Sequence, residues 1–432
     1  MTRRLLLDVS SLARWTGPPV GIARVEHALV QAARKRPDTA LCFWDKHERR
    51  FRSLRPQWAD LALSWHGAID VPAPNQSLLS RHRWFAALER VRLTRPAAAG
   101  VAGALQDALL GLRRHGHHLR DAAGTRIAHL PPELALGADA AIGPKDVLLS
   151  AGSDWTHLDA VGIRDAKQAL GFRYACLCYD LIPITHPQFY SPEDVAIVTR
   201  HWRATLPTAD LVIANARCIA DDIFRFATSE GLATPEVAVL PLGYAPPSTA
   251  PGSVPPGLAS GRYILFVSTI EPRKGHAMLL RVWRGLLARD ALRGFKLVFV
   301  GRSGWMVDDV LQQLASGDGL GGSVLHLQNL DDPALGALYS HAAFCVYPSQ
   351  YEGFGLPVIE AFARSKPVLA STGGALPETV GGAFPCLPPD DEALWERTLE
   401  AWIEHPPAFT GRVRHPNWAE AAASILDRAA AA

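Results

Sequence analysis

Short apolar runs alternate with amphipathic helical stretches along this chain, break at one segment rich in Pro, Ser and Gly, and then resume. Before the break the runs are RLLLDVS (4–10), ALCFWD (40–45), DVLLSAG (146–152), FRYACLCYD (172–180), ADLVIAN (209–215) and VAVLPLG (237–243). After it come RYILFVSTI (262–270), FKLVFVG (295–301), SVLHLQN (323–329), AAFCVYPS (342–349) and PVLAST (367–372). Such runs suit strands covered on both faces, and the helical patterns between them supply the cover. Helices are expected at 21–36, 275–289, 304–316, 332–341, 357–364 and 415–432. The break itself, APPSTAPGSVPPGLASG (245–261), carries no charge and reads as a linker. At 432 residues the chain is too long for one ordinary core. The predicted fold class is therefore α/β, with two doubly wound Rossmann-like domains at 1–248 and 259–404. Ligands of such sheets sit at the carboxyl ends of the strands, and the cleft between two domains is the natural site.

Composition adds limits. The formal net charge of +2 gives no general argument for nucleic acid as a partner. The N-terminal MTRRLLLDVSSL has too short an apolar run for a signal peptide, because Asp8 interrupts it. No apolar run approaches the roughly 20 residues of a membrane span. A cytoplasmic location is expected, with peripheral contact at the inner face of a membrane left open. Six cysteines occur without a CxxC pair, and buried free thiols are expected. Cys176 and Cys178 alternate along one strand and face the same side. The stretch 81–126 is different: it is rich in Arg, contains His115, His117 and His118, and interleaves Trp84, Phe85, Leu88, Leu105, Leu109 and Leu112. It reads as a helical insertion, either with a solvated basic face or with a surface for an anionic or lipid-linked partner. Carboxylates or cysteines at ligand spacing do not accompany the histidines, so no metal site is expected there.

The stretch most suggestive of chemistry is SQYEGFGLPVIEAFARSKPVLAS (349–371). A strand ends, a Gly-Phe-Gly turn follows, and Pro357 suits the first position of a helix. Gly353 and Gly355 permit close backbone approach, and a helix start offers unpaired N–H groups to a diphosphate. Glu360, about one turn into the helix, suits the two hydroxyls of a ribose. Glu352, before the glycines, suits the group beyond the second phosphate. Arg273 and Lys274, in the turn after the strand 262–270, suit a pyrophosphate leaving group. Helix-dipole compensation and solvated loop charges are the plainer readings of the same residues. Gly17 and Gly21 stand in a loop after the first strand that is neither a P-loop nor a GxGxxG fingerprint. Asp180 ends the strand 172–180, where catalytic side chains tend to lie.

EGFGLPVIEAFA and the upstream EPRKG resemble retaining glycosyltransferase family 4, of GT-B fold. The resemblance covers nearly the whole second domain, including GGALPETVGGA (373–383). It reaches the first domain in VGIARVEHAL (20–29), YDLIPITHPQFYSP (179–192) and LVIANARCIADDI (211–223). It departs in two places: Ala216 stands where the family usually has Ser, and Tyr179 stands where many relatives have His before Asp180. The resemblance implies that Arg273 and Lys274 hold the diphosphate, Glu360 binds the donor ribose and Glu352 contacts the donor sugar. Gly353, Phe354, Gly355 and Leu356 would supply backbone contacts. Gly21 and Arg24 would face the phosphates or the acceptor, Asp180 the acceptor side, and His186 is a substitute candidate for the missing His. It further implies no divalent metal or other cofactor, matching the lack of an Asp-x-Asp sequence, and a terminal segment, 405–432, that crosses back to the first domain.

The implied activity is transfer of a sugar, first mannose from GDP-mannose, from a nucleotide diphosphate sugar to a hydroxyl of a lipid-linked oligosaccharide or growing polysaccharide. A sugar-nucleotide epimerase, and a non-catalytic sugar-nucleotide-binding partner of a polysaccharide assembly, remain as alternatives.

Overall fold

The computed structural model describes residues 3–15, 21–45, 48–55, 67–69, 128–130, 136–245, 252–317, 320–409, 411 and 415–432. Gly17 and the 81–126 insertion lie outside the described residues.

The first domain holds β1 (Arg4–Asp8), β2 (Thr39–Asp45), β3 (Arg50–Leu54), β4 (Gly67–Ile69), β5 (Ala128–Leu130), β6 (Leu136–Asp139), β7 (Asp146–Ser150), β8 (Arg173–Cys178), β9 (Leu211–Ala214) and β10 (Glu236–Val239). Its main sheet has the order β10-β9-β8-β7-β1-β2-β3-β6, and β4 pairs with β5 separately. The strands from β10 to β2 are parallel. One edge departs from the all-parallel expectation, since β3 runs antiparallel to both β2 and β6. That edge has a physical reason to escape notice: RFRSL carries two arginines and buries only Phe51 fully, so it makes no apolar run.

Successive side chains divide the core into two faces, as the two-residue period of a strand requires. Leu5, Leu7, Val147, Leu149, Leu211 and Ile213 point to one layer, under α1 (Ile22–Ala33). Leu6, Leu148, Cys176, Cys178, Val212 and Ala214 point to the other. That second layer is covered by α2 (Ala160–Leu170), α3 (Pro192–Thr205) and α4 (Arg217–Glu230) through Ile163, Trp202 and Phe226. Cys176 and Cys178 thus share a face, and both are buried free thiols.

The second domain is a six-stranded sheet of β11 (Tyr263–Val267), β12 (Lys296–Val300), β13 (Val324–Leu327), β14 (Phe344–Tyr347), β15 (Val368–Ser371) and β16 (Cys386–Leu387). Its order is β13-β12-β11-β14-β15-β16, parallel throughout. The helices α5 (His276–Ala288), α6 (Asp308–Ser316), α7 (Asp332–His341), α8 (Leu356–Phe362), α9 (Leu376–Val380) and α10 (Glu392–Glu404) connect or flank these strands. Strand order reverses between β11 and β14, and the crevice at such a reversal is where doubly wound sheets take ligands.

The last helix, α11 (Trp418–Ala430), leaves the second domain. Its Ala422, Ile425, Leu426 and Ala429 join Val25 and Leu29 in the first domain's core. Asn417 and Glu420 form a capping box at its start. The two chain crossings lie side by side: Tyr244 N–H donates to the Pro416 carbonyl and Trp418 N–H to the Tyr244 carbonyl, each at 3.1 Å.

A carboxylate clasps the domains. Helix α4 starts at Ala216, whose side chain cannot accept a hydrogen bond. Glu378 of α9 takes over this role, accepting from the backbone N–H groups of Arg217 and Cys218 at 2.9 Å each. A cap of this kind contributes about 1 kcal/mol. Glu378→Ala is therefore expected to speed hydrogen exchange at the Arg217 and Cys218 amides roughly fivefold. Adding Ala216→Ser should slow it again by capping the helix locally. Unchanged exchange in the single variant would contradict the clasp.

Candidate active site

The loops after β11 and β14 meet at the strand-order reversal. After β11, Pro272–Lys274 forms a single tight turn leading into α5. After β14, the chain turns through Ser349–Gly355 into α8. The main chains are joined where Gln350 N–H donates to the Arg273 carbonyl at 2.7 Å.

This junction brings Arg273, Lys274 and Glu352 together. Arg273 Nη1 donates to Glu352 Oε2 at 3.0 Å and to the Tyr351 carbonyl at 2.8 Å. Lys274 Nζ donates to Glu352 Oε1 at 2.6 Å, and the Ser349 hydroxyl donates to the same oxygen at 2.7 Å. Glu271 Oε2 lies 3.2 Å from Arg273 Nε. The three side chains are only 12–13% exposed, so these charges interact in a poorly screening environment. Burial alone would raise the Glu352 pKa, but Lys274 and Arg273 outweigh it and hold it down at about 2. Burial and the neighbouring Arg273 leave Lys274 below the ordinary lysine value despite the pull of Glu352. The two cations are thus preorganised, and two protein carboxylates, Glu352 and Glu271, balance them.

Glu360 lies within α8. Its Oε1 accepts from Arg24 Nη1 at 3.0 Å and its Oε2 from the Tyr339 hydroxyl at 3.2 Å. Burial raises its pKa, and Arg24 opposes the shift. The Arg24–Glu360 bridge spans the domains and is absent from the sequence reading, which set the two residues in separate roles. Gly21 is the N-cap of α1, at φ +50°, with open space where a side chain would project.

The turn 353–356 packs against the first domain. A Cβ on Gly353 would lie 2.5 Å from the Tyr179 carbonyl, so this glycine admits the first domain's backbone. Phe354 is buried in the first domain's core cluster, and Leu356 packs against that cluster. Gly355, at φ +94°, is the N-cap of α8. That helix has seven residues, close to the eight expected at 357–364.

Asp180 borders a cavity of about 530 Å³ between the domains, which Arg273, Glu271, Tyr190, Trp155 and Trp305 also line. Asp180 Oδ1 accepts from Ile182 N–H at 3.1 Å. Burial raises its pKa against the opposing pull of Arg273. His186 lies elsewhere in the interface: its ring centroid is 4.6 Å from that of Tyr351, and Nδ1 is 2.9 Å from the Thr185 hydroxyl. It does not line the cavity with Asp180. Trp305 is absent from the motifs singled out in the sequence, and Glu271 and Tyr190 stand in EPRKG and YDLIPITHPQFYSP without an assigned role. A tryptophan in the Gly- and Ser-bearing GRSGW, just after a strand's carboxyl end, was the available signal.

Comparison with known proteins decides the family of the second domain. Residues 258–421 match the family Glycosyl transferases group 1. The second domain is a glycosyl transferases group 1 domain. The chain is 32% identical over 218 residues to the O-antigen chain mannosyltransferase B of Escherichia coli, covering 49% of this chain and 56% of that protein. It is 29% identical over 260 residues to the serotype-specific mannosyltransferase WbdA of the same organism, covering 56% of this chain and 31% of that protein. The chain therefore spans between about a third and just over half of the length of these relatives. Among solved structures, Anabaena Alr3699/HepE in complex with UDP and glucose matches with a TM-score of 0.57 at 16% identity, covering 99% of this chain and 95% of that one. Sucrose-phosphate synthase from Thermosynechococcus elongatus matches at 0.54 and 17% identity, covering 99% and 96%. The overall architecture is GT-B: a group 1 domain facing a second Rossmann-like domain. Among the described residues no helix is long and apolar enough to cross a membrane.

Proposed function

We propose that this protein is a retaining, metal-independent glycosyltransferase that moves a hexose from a nucleotide diphosphate sugar to a hydroxyl of a saccharide acceptor. The observation that carries the reading is the buried Arg273–Lys274–Glu352 cluster at the strand-order reversal of a group 1 domain. The names of the E. coli relatives favour mannose, and so GDP-mannose as first donor and a growing O-antigen-type polysaccharide or lipid-linked oligosaccharide as acceptor. The UDP named with HepE makes a UDP-sugar the next donor to test.

In this reading the donor diphosphate lies against Arg273 and Lys274. The bond from the anomeric carbon to the leaving phosphate oxygen breaks as the acceptor oxygen bonds to that carbon from the same face. The acceptor's proton passes to the departing phosphate, so the products are the glycoside and a nucleoside diphosphate. The protein's part is positioning and charge stabilisation by fixed cations. Glu352 keeps these cations in place and lies where the donor sugar would arrive. Asp180 faces the acceptor.

Glu360 takes the donor ribose, which competes there with Arg24. Glu360→Ala is expected to raise the dissociation constant of the matching nucleoside diphosphate roughly ten- to a hundredfold, since two hydrogen bonds to a carboxylate are lost. Turnover at saturating donor should change far less. Calorimetric titration reads the first and initial rates the second; unaltered affinity would remove Glu360 from the site.

Incubating the protein with GDP-mannose and UDP-glucose, with and without saccharide acceptors, tests the activity itself. Acceptor-dependent release of nucleoside diphosphate is the expected result. Interconversion of the donor would mark an epimerase, and tight binding without turnover a non-catalytic partner.

A further inference from the structure

The cavity beside Arg273 has a lining whose chemistry specifies an occupant. Trp155, Tyr190 and Trp305 contribute aromatic surface, Asp180, Asp194 and Glu271 contribute carboxylates, and Arg273 and Arg302 contribute guanidiniums. Trp305 belongs to the second domain, yet its indole N–H donates to the Phe189 carbonyl of the first at 2.8 Å. That bond uses the ring's one polar handle. The indole remains 40% exposed, and its centroid lies 5.6 Å from that of Tyr190 at a 40° tilt. The pair therefore forms an angled aromatic wall spanning the domains. In the same lining Asp180 spends Oδ1 on Ile182 N–H, and no hydrogen bond to its Oδ2 forms among the described residues.

We propose that this cavity seats the terminal neutral hexopyranose of the acceptor, with Trp305 and Tyr190 as its stacking platform. A pyranose has faces of C–H groups and an equator of hydroxyl donors. Flat aromatic surfaces cover the former, and carboxylates accept from the latter. The lining's three carboxylates outnumber its two guanidiniums by one, which tilts it toward a neutral rather than an anionic sugar, and five charged groups are out of place in a site for an alkyl chain. The cavity falls within the roughly 300–1,000 Å³ of small-molecule sites. Its shared Arg273 puts the sugar beside the cation cluster. The acceptor role rests on the reading of that cluster as the donor site, whereas saccharide binding does not.

Saturation-transfer NMR on the full chain tests this with three probes: methyl α-D-mannopyranoside, methyl α-D-glucopyranoside and mannose 6-phosphate. The wild type is expected to transfer magnetisation to the ring protons of at least one neutral glycoside and to discriminate against the phosphorylated sugar. Trp305→Ala should weaken the neutral sugar about tenfold, and Trp305→Phe should recover most of the loss. GDP and UDP affinities should be unchanged in both variants. Trp305→Leu, which keeps apolar volume without a flat ring, carries the same expectation as Trp305→Ala and guards against misfolding. No binding of either neutral glycoside, preference for the phosphorylated sugar, or equal saccharide affinity in Trp305→Ala and wild type would overturn the proposal. Loss of nucleotide affinity alongside saccharide affinity would also do so, because it would mark Trp305 as merely structural. Saccharide binding that depends on Trp305, in a protein that binds no nucleotide, would instead refute the donor-site reading and leave the saccharide site standing.

Discussion

Lys274→Ala is expected to lower turnover by about two to three orders of magnitude while the protein stays folded. Lys274 contributes a compact ammonium with three donors, fixed by Glu352 before any ligand arrives. In the proposed reaction negative charge grows on the departing phosphate. A prealigned cation stabilises that charge without reorganising at the moment of transfer. Arg273 remains in the variant and still neutralises Glu352, so the fold should be preserved. The loss should fall mainly on kcat, with donor affinity falling less, because the developing charge exceeds that of the ground state. Rapid-quench measurement of a single turnover isolates this step. Wild-type rates in Lys274→Ala would remove it from the chemistry.

Glu352→Ala acts on stability as well as activity. The substitution leaves Arg273 without its Glu352 bond and Lys274 without a carboxylate partner, both in a buried setting. Breaking such a cluster from one side costs about 3–5 kcal/mol. For a domain of this size that corresponds to a fall in melting temperature of order ten degrees. A nucleoside diphosphate supplies the missing negative charge, so saturating GDP or UDP should raise the melting temperature of the variant more than that of the wild type. Equal increments would contradict the idea that Glu352 and the diphosphate answer to the same cations. The pH dependence has a definite sign. The Glu352 pKa is held below its ordinary value, so its ionised form favours the folded state. That contribution is complete above the ordinary value of 4.5 and is lost as the pH falls toward about 2.

The fold was legible because its central strands are short continuous apolar runs. β7 and β9 are buried at every position, as strands of a parallel sheet covered on both faces are. The antiparallel edge was not legible, since Arg50 and Arg52 interrupt the pattern on β3. Within the candidate site, the sequence revealed which loops carry charge, because Arg273, Lys274 and Glu352 stand at strand ends beside Gly-bearing turns. It did not reveal that these charges pair with one another, nor that Arg24 reaches Glu360 across 336 residues of chain. Such pairings depend on how two domains face each other, and local pattern holds no record of that. The Gly353 turn shows the same limit: a glycine signals close approach, but the sequence does not say whether a ligand or another backbone approaches. Ala216 at a helix start was a readable anomaly, and its resolution lay 162 positions away at Glu378.

A crystal structure of the protein with bound GDP or UDP tests the central claim most directly. The account predicts phosphate oxygens within about 3 Å of Arg273 and Lys274, with the ribose hydroxyls on Glu360 and Arg24 released from it. A nucleotide bound elsewhere, with Arg273 and Lys274 turned away from it and Arg24 still on Glu360, would contradict it.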